Sequence, residues 1–305
     1  MRGIVFKSTG SWYQIRGEDG TSYAGRLRGK FKLRGLKVTN PVAVGDRVEF
    51  APEADGSVVI TDLLARRNYI IRKSTHKTQH GHIIAANLDQ AVLVATLTLP
   101  RTSLGFIDRF LVSAEAFRIP GVIVFNKQDL YDDARRVYQE ELFALYEPLG
   151  YRCLMTSAET GAGLDELRAQ LEGRINLLSG HSGVGKSTLM NRLAPGLNLR
   201  TQEVSTFANK GVHTTTFAEM FELAPGTWLI DTPGIKELGM IDMEEQELAH
   251  YFPEMRALLG ECRFHNCTHL HEPGCAVYEA FEAGEIAASR YQSYLSMMGE
   301  DDNRR

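Results

Sequence analysis

Apolar positions along this chain follow two rhythms, and the change between them falls near residue 70. Before it, short runs are broken by glycine-containing turns, at Gly3–Lys7, Ser11–Arg16, Thr21–Arg28, Asp46–Phe50 and Ser57–Asp62. Five short strands in that span predict a small closed barrel of OB type, although an SH3-like barrel would give much the same pattern. Beyond it, apolar runs at Gln90–Leu97, Gly121–Phe125, Tyr151–Met155, Ile175–Leu178, Phe217–Leu223 and Trp228–Ile230 alternate with helical patterns. The helical patterns lie at Ile107–Phe117, Asp133–Leu149, Leu164–Leu171 and Lys186–Leu193. Such alternation predicts an α/β domain with a mostly parallel sheet covered by helices on both faces. After residue 241 the sequence is acidic and helical on both sides of a Cys/His cluster. The expected division is therefore 1–70, 71–241 and 242–305.

The formal charge of −4 conceals an asymmetry. Residues 1–75 carry 14 Lys/Arg against seven Asp/Glu, a net of +7, which leaves −11 on the remainder. A basic head on an acidic body points to a polyanionic partner for the head. Within it Arg26, Arg28, Lys30, Lys32 and Arg34 recur at a spacing of two, which on an extended backbone places all five on one side, with Tyr23 and Phe31 nearby. That stripe suits phosphate contacts on RNA. No apolar run approaches the roughly 20 residues that span a bilayer, and the opening MRGIVFKSTG lacks the basic-then-apolar order of a secretory signal. No membrane partner is expected, and the cytoplasm is the expected compartment. Cysteine use agrees. Cys262, Cys267 and Cys275 fall in one short stretch beside His265, His269 and His271, which in a reducing compartment reads as a metal site rather than a set of disulfides. Cys153, in an apolar run, reads as an inert core residue.

Gly180-His181-Ser182-Gly183-Val184-Gly185-Lys186-Ser187 matches G-x-x-x-x-G-K-[ST] in full, after one apolar strand and at the start of a helix. Glycines let the backbone curl so that its N–H groups point at phosphates, and the helix N-terminus adds partial positive charge. Lys186 is expected to bridge the terminal phosphates and the Ser187 hydroxyl to ligate Mg²⁺, with Thr188 as a further nucleotide contact.

Asn126-Lys127-Gln128-Asp129, directly after another apolar strand, resembles the guanine-specificity motif of GTPases. A carboxylate at Asp129 can accept from guanine N1–H and the exocyclic amine, whereas adenine offers neither donor there; leaving it unpaired rejects the wrong base by ~10⁴. Asn126 would tie the loop together and the Lys127 stem would cover the base. Thr156-Ser157-Ala158-Glu159 follows the next strand and resembles the second base loop, S-A-K, with Glu159 in place of lysine. Asp231-Thr232-Pro233-Gly234 supplies an Asp231 that would hold Mg²⁺ through water and a Gly234 N–H that would sense the γ-phosphate. Gly211-Val212-His213-Thr214-Thr215-Thr216 resembles a first switch, with Thr215, or Thr214 beside it, as a Mg²⁺ ligand. In ordinary GTPases the phosphate loop precedes NKxD; here NKxD and SAE come first and DTPG last. That order marks a circular permutation, which leaves the site intact if the loops still gather at one sheet edge. It also runs the second switch straight into the C-terminal region.

Taken together, the barrel, the permuted motifs and the Cys/His cluster resemble the family of small-ribosomal-subunit biogenesis GTPases over the whole length of the chain. The resemblance implies a monomeric cytosolic GTPase that binds the immature small subunit and its rRNA, hydrolyses GTP to GDP there and leaves. The family pattern C-x-H-x5-C selects His269 as the nitrogen ligand beside Cys262, Cys267 and Cys275, a closed set that suits one structural Zn²⁺ per chain. Val212 departs from the arginine expected before His-Thr-Thr-Thr. Ile235 stands where Ras-like enzymes place the water-orienting glutamine, so slow intrinsic and ribosome-stimulated turnover is expected, with His213 in the catalytic role. A small-molecule P-loop kinase is disfavoured by the NKxD and DTPG pair. An RNA-binding module with a vestigial nucleotide site is disfavoured by Lys186, Ser187 and Asp231.

Overall fold

The computed structural model describes residues 1–27, 40–73, 81–194, 219–231 and 245–299. Strands β1 (Arg2–Ser8), β2 (Tyr13–Gly17), β3 (Ser22–Leu27), β4 (Arg47–Pro52) and β5 (Val58–Leu63) run in the order β1-β2-β3-β5-β4, and β4 returns to pair with β1. Pairing is antiparallel throughout except between β3 and β5. This closed five-stranded Greek key is the OB arrangement. Strand lengths alone could not separate it from an SH3-like barrel, because the two differ in pairing. Alternate residues fill its core: Val5, Tyr13, Ile15, Val48, Phe50, Val58 and Ile60.

A hairpin of β6 (Tyr69–Lys73) and β7 (Gly81–Ala86) follows the barrel. The hydrophobic pattern does not announce it. The register shifts between Ile70 and Ile71, whose partners are Ala85 and Ile83, so the extra residue is Ile84 of β7 and two isoleucines stand in succession where that strand would alternate. At the junction between barrel and hairpin, fully buried Asp46 accepts from Arg66 Nε at 2.7 Å, Arg66 Nη2 at 2.6 Å and the Ala43 N–H at 2.7 Å.

The α/β part of the sheet contains β8 (Gln90–Ala95), β9 (Gly121–Phe125), β10 (Arg152–Met155), β11 (Ile175–Ser179), β12 (Glu219–Ala224) and β13 (Thr227–Asp231), ordered β10-β9-β8-β11-β13-β12. All neighbours are parallel except β12–β13. The central strands β8, β9 and β11 are buried on both faces, and period two divides their side chains cleanly. Ala91, Leu93, Ile123 and Phe125 face one core with helices α1 (Leu104–Ala116) and α2 (Asp133–Tyr146). Val92, Val94, Val122 and Val124 face the other with α3 (Leu164–Leu171) and α4 (Lys186–Leu193). The barrel joins this sheet where β1 meets β12 at Lys7↔Glu219, reinforced by the Lys7–Glu219 and Arg16–Glu222 ion pairs at 2.9 and 3.3 Å.

The C-terminal part holds a 3₁₀ segment (Glu245–Tyr251) and helices α5 (Pro253–Arg256), α6 (Ala276–Glu282) and α7 (Ala288–Gly299). It docks on α1. Arg290 of α7 is fully buried, its guanidinium 2.7 Å from both Asp108 of α1 and Glu254 of α5 and 4.6 Å from the Phe252 ring centroid. Asp108 also accepts from Tyr146 at 2.8 Å and from Ser293. Such a network holds the two parts in one register, since removing Arg290 would leave the Asp108 and Glu254 carboxylates without their counter-ion in the interior. Among the described residues no helix is long and apolar enough to cross a membrane.

Candidate functional site

Parallel strands point all their C-terminal ends to one edge, where ligands of open α/β sheets bind. At that edge β9 runs into Asn126, β10 into Thr156, and β11 into Gly180. β13 ends at Asp231, whose backbone is in register with Leu178 of β11. The shuffled chain order therefore brings four motifs side by side. Thr214, Thr215, His213, Thr232–Gly234 and Ile235 lie outside the described residues, as do Arg28, Lys30, Phe31, Lys32 and Arg34 of the basic stripe.

Asn126 is the knot of the site. It is buried, its amide donates to the Val184 carbonyl of the phosphate loop at 2.8 Å, and its side-chain oxygen accepts from the Thr156 hydroxyl at 3.1 Å and the Ala158 N–H at 3.2 Å. One side chain thus clamps the phosphate loop to both base loops. The Ser157 hydroxyl donates to the Asp129 carboxylate, which otherwise stands exposed. Lys127 has φ 65° and donates to the Leu99 carbonyl at 2.8 Å; burial lowers its pKa from the usual lysine range. Two residues are not legible in the sequence. The Tyr131 hydroxyl donates to the Asn126 carbonyl and accepts from the Leu97 N–H, and Arg192 of α4 donates to the Glu159 carbonyl at 2.8 Å. Nothing in the local pattern marks either residue, because both act on loops distant in sequence or through backbone atoms.

The phosphate loop has the backbone its composition requires. Gly180 sits at φ 139° and Gly185 at φ 96°; a Cβ on the first would lie 2.2 Å from the Val94 carbonyl oxygen and on the second 2.4 Å from Asn126 Nδ2. Only glycine allows both the conformation and the approach. Gly185 caps α4, so the helix N-terminus opens directly onto the loop, and Lys186 Nζ reaches back to the Gly180 carbonyl and, at 2.8 Å, to the His181 carbonyl. An ammonium, a helix N-terminus and main-chain N–H groups in one curl fit a triphosphate. Ser182 and Gly183 complete the same turn, and Ser187 and Thr188 follow Lys186 in the first turn of α4.

Cys262, Cys267, His269 and Cys275 converge in the C-terminal part, their ligand atoms all within 4.8 Å of one another. Cys262 Sγ and Cys275 Sγ are each 3.5 Å from His269 Nδ1 and 4.0 Å from each other. A tetrahedral Zn²⁺ with bonds of about 2.3 Å to sulfur and about 2.0 Å to nitrogen would need edges near 3.8 and 3.5 Å, so the donors fit such an ion. Second contacts fix the ligands: the Tyr291 hydroxyl donates to the His269 carbonyl at 2.7 Å, and the Tyr278 N–H to Cys275 Sγ at 3.3 Å. The Glu272 carboxylate accepts from the Thr268, Leu270 and His271 N–H groups. His265 and His271 are exposed and outside the cluster.

A permuted sheet with a triphosphate loop beside a guanine loop defines a circularly permuted GTPase. Residues 63–241 match the family described as RsgA GTPase and residues 2–60 the RsgA N-terminal domain; the chain belongs to the RsgA GTPase family and is a GTP hydrolase. It is 56% identical to the small ribosomal subunit biogenesis GTPase RsgA of Cytophaga hutchinsonii, over 100% of both chains. To the protein of that name from Bacteroides fragilis it is 52% identical over 99% of this chain and 97% of the other. YjeQ from Thermotoga maritima superposes with a TM-score of 0.81 at 41% identity, covering 100% of this chain and 99% of that one. YloQ, a circularly permuted GTPase, gives 0.77 at 30%, covering 100% and 96%.

Proposed function

We propose that this GTPase acts on the small ribosomal subunit during late maturation, binding it with GTP and leaving after hydrolysis. The observation that carries the reading is the Asn126 clamp, which makes one site of the phosphate loop and the guanine loops, in a chain matched end to end by relatives named for small-subunit biogenesis. Three functional units, 1–70, 71–241 and 242–305, divide the work. The basic barrel engages rRNA, chiefly through phosphates. The central domain grips GTP through Asn126, Lys127, Asp129, Ser157, Ala158, the 180–188 loop, Thr215, Asp231 and Gly234, and Mg²⁺ bound with the nucleotide would neutralise developing phosphate charge. His213 orients the attacking water. The metal held by Cys262, Cys267, His269 and Cys275 is one structural Zn²⁺, since four protein donors leave no open position. The protein works as a cytoplasmic monomer.

GTP turnover measured with and without purified small subunits, and with large subunits as control, tests the reading. Stimulation confined to small subunits is the expected result; equal rates in all three conditions overturn it.

A further inference from the structure

We propose that Phe106 is a positioning residue of the phosphate loop and that, through α1, it makes nucleotide affinity depend on the docking of the metal-bearing domain. The inference rests on residues 180–187 holding the nucleotide phosphates. The Phe106 ring stacks on the His181 imidazole with centroids 3.8 Å apart and planes inclined by 30°. His181 is the second residue of the loop, and its carbonyl accepts from Lys186. Burial, with Lys186 nearby, lowers the His181 pKa and favours the neutral ring in this stack. The contact lies at the start of α1, where the Ser103 side chain caps the helix through the Phe106 N–H.

The rest of α1 is divided between two cores. Ile107, Phe110, Leu111 and Ala114 pack on the sheet. Asp108, Val112 and Glu115 follow one another at the spacings that keep residues on one helical face, and this face belongs to the C-terminal part. Asp108 pairs with Arg290, Val112 joins the core of Phe252 and Tyr294, and Glu115 pairs with Arg256 at 2.9 Å. Arg290 is followed by Tyr291, whose hydroxyl holds the His269 carbonyl at the metal cluster. A single 13-residue helix therefore touches the phosphate loop at its first turn and the metal-bearing domain along one side. A rigid helix held at both places passes displacement at one to the other, and by linkage each site biases the other equally. This route runs through packing and is separate from the covalent join after Asp231.

The test is a titration of the full-length protein with a fluorescent GDP analogue in excess Mg²⁺. Phe106→Ala is expected to weaken binding about 3- to 10-fold, the scale of one aromatic pair, and Phe106→Tyr to restore it. Asp108→Asn is expected to weaken binding a few-fold in the wild-type background and not at all in Phe106→Ala. A zinc-selective chelator supplies the same comparison should Asp108→Asn fold poorly: it weakens binding to the wild type and leaves Phe106→Ala unaffected. Wild-type affinity in Phe106→Ala, or penalties that multiply in the double variant, or equal chelator effects in both backgrounds, overturn the inference. A wild-type protein that binds no guanine nucleotide would instead overturn the proposed function.

Discussion

The Asn126 amide donates to the Val184 carbonyl across 2.8 Å, joining residues 58 apart in the chain. That bond closes the nucleotide site of a protein whose motifs occur in permuted order. Replacing Asn126 with Ala strands the Val184 carbonyl, the Ala158 N–H and the Thr156 hydroxyl together. Leaving one buried polar group unpaired costs about 1–3 kcal/mol, so guanine-nucleotide affinity should fall at least ~10-fold, with a lower unfolding midpoint. Titration and thermal denaturation check the two effects separately.

Asp129 is predicted to carry the choice of base. Xanthine differs from guanine in bearing a carbonyl where guanine has its amine, so Asp129→Asn offers it an N–H donor and withdraws an acceptor from guanine. Discrimination by buried hydrogen bonds reaches about 10⁴. The variant should bind xanthosine diphosphate in preference to GDP, and competition between the two nucleotides reads the inversion directly.

How far this site is legible in sequence depends on how local each requirement is. The glycines at 180 and 185 are written into the motif because φ of 139° and 96° with almost no room for a Cβ exclude other residues. Asp129 and Ser157 are legible because each follows an apolar strand directly, and parallel strands deliver their ends to one edge. Tyr131, Phe106 and Arg290 are not, since their value lies in what the fold brings against them; Asp108 and Arg290 are 182 residues apart. The β6–β7 hairpin is hidden for another reason, the extra residue Ile84 that interrupts alternation in β7.

Removal of the metal should loosen the C-terminal part without stopping nucleotide binding. The four donors tie a loop whose neighbours, Tyr291 and Tyr294, hold the His269 and Thr268 carbonyls at 2.7 Å. Metal binding energy at structural sites is folding energy. Chelation, or Cys267→Ser, should therefore accelerate amide exchange in α6 and α7 while weakening GDP binding by no more than ~10-fold. Unchanged exchange there would mean that the cluster does not hold the domain together.

The barrel junction depends on a buried ion pair. Asp46 has no exposed surface and Arg66 Nη2 lies 2.6 Å from its carboxylate, with side-chain exposures of 0% and 7%. Burial raises the Asp46 pKa, and Arg66 pulls against that rise. Removing one partner of such a pair costs about 3–5 kcal/mol because the other charge is left in the interior. Asp46→Ala should lower stability by that order in chemical denaturation, with the joint double substitution Asp46→Leu, Arg66→Met recovering much of it.

Hydrolysis itself is predicted to turn on His213. The position that supplies a water-orienting glutamine in Ras-like enzymes is Ile235, an aliphatic side chain with no hydrogen bond to give. Water must then be oriented from elsewhere, and the only histidine in the first-switch motif Gly211–Thr216 is His213. A side chain that positions water or a proton contributes about 10²–10⁴ to the rate. His213→Ala should accordingly bind GTP with wild-type affinity yet lose subunit-stimulated turnover by that factor, whereas Ile235→Ala should leave it nearly intact. Stimulated turnover that survives His213→Ala would move the water-orienting group to the subunit itself, and the enzyme would then be completed only by its partner.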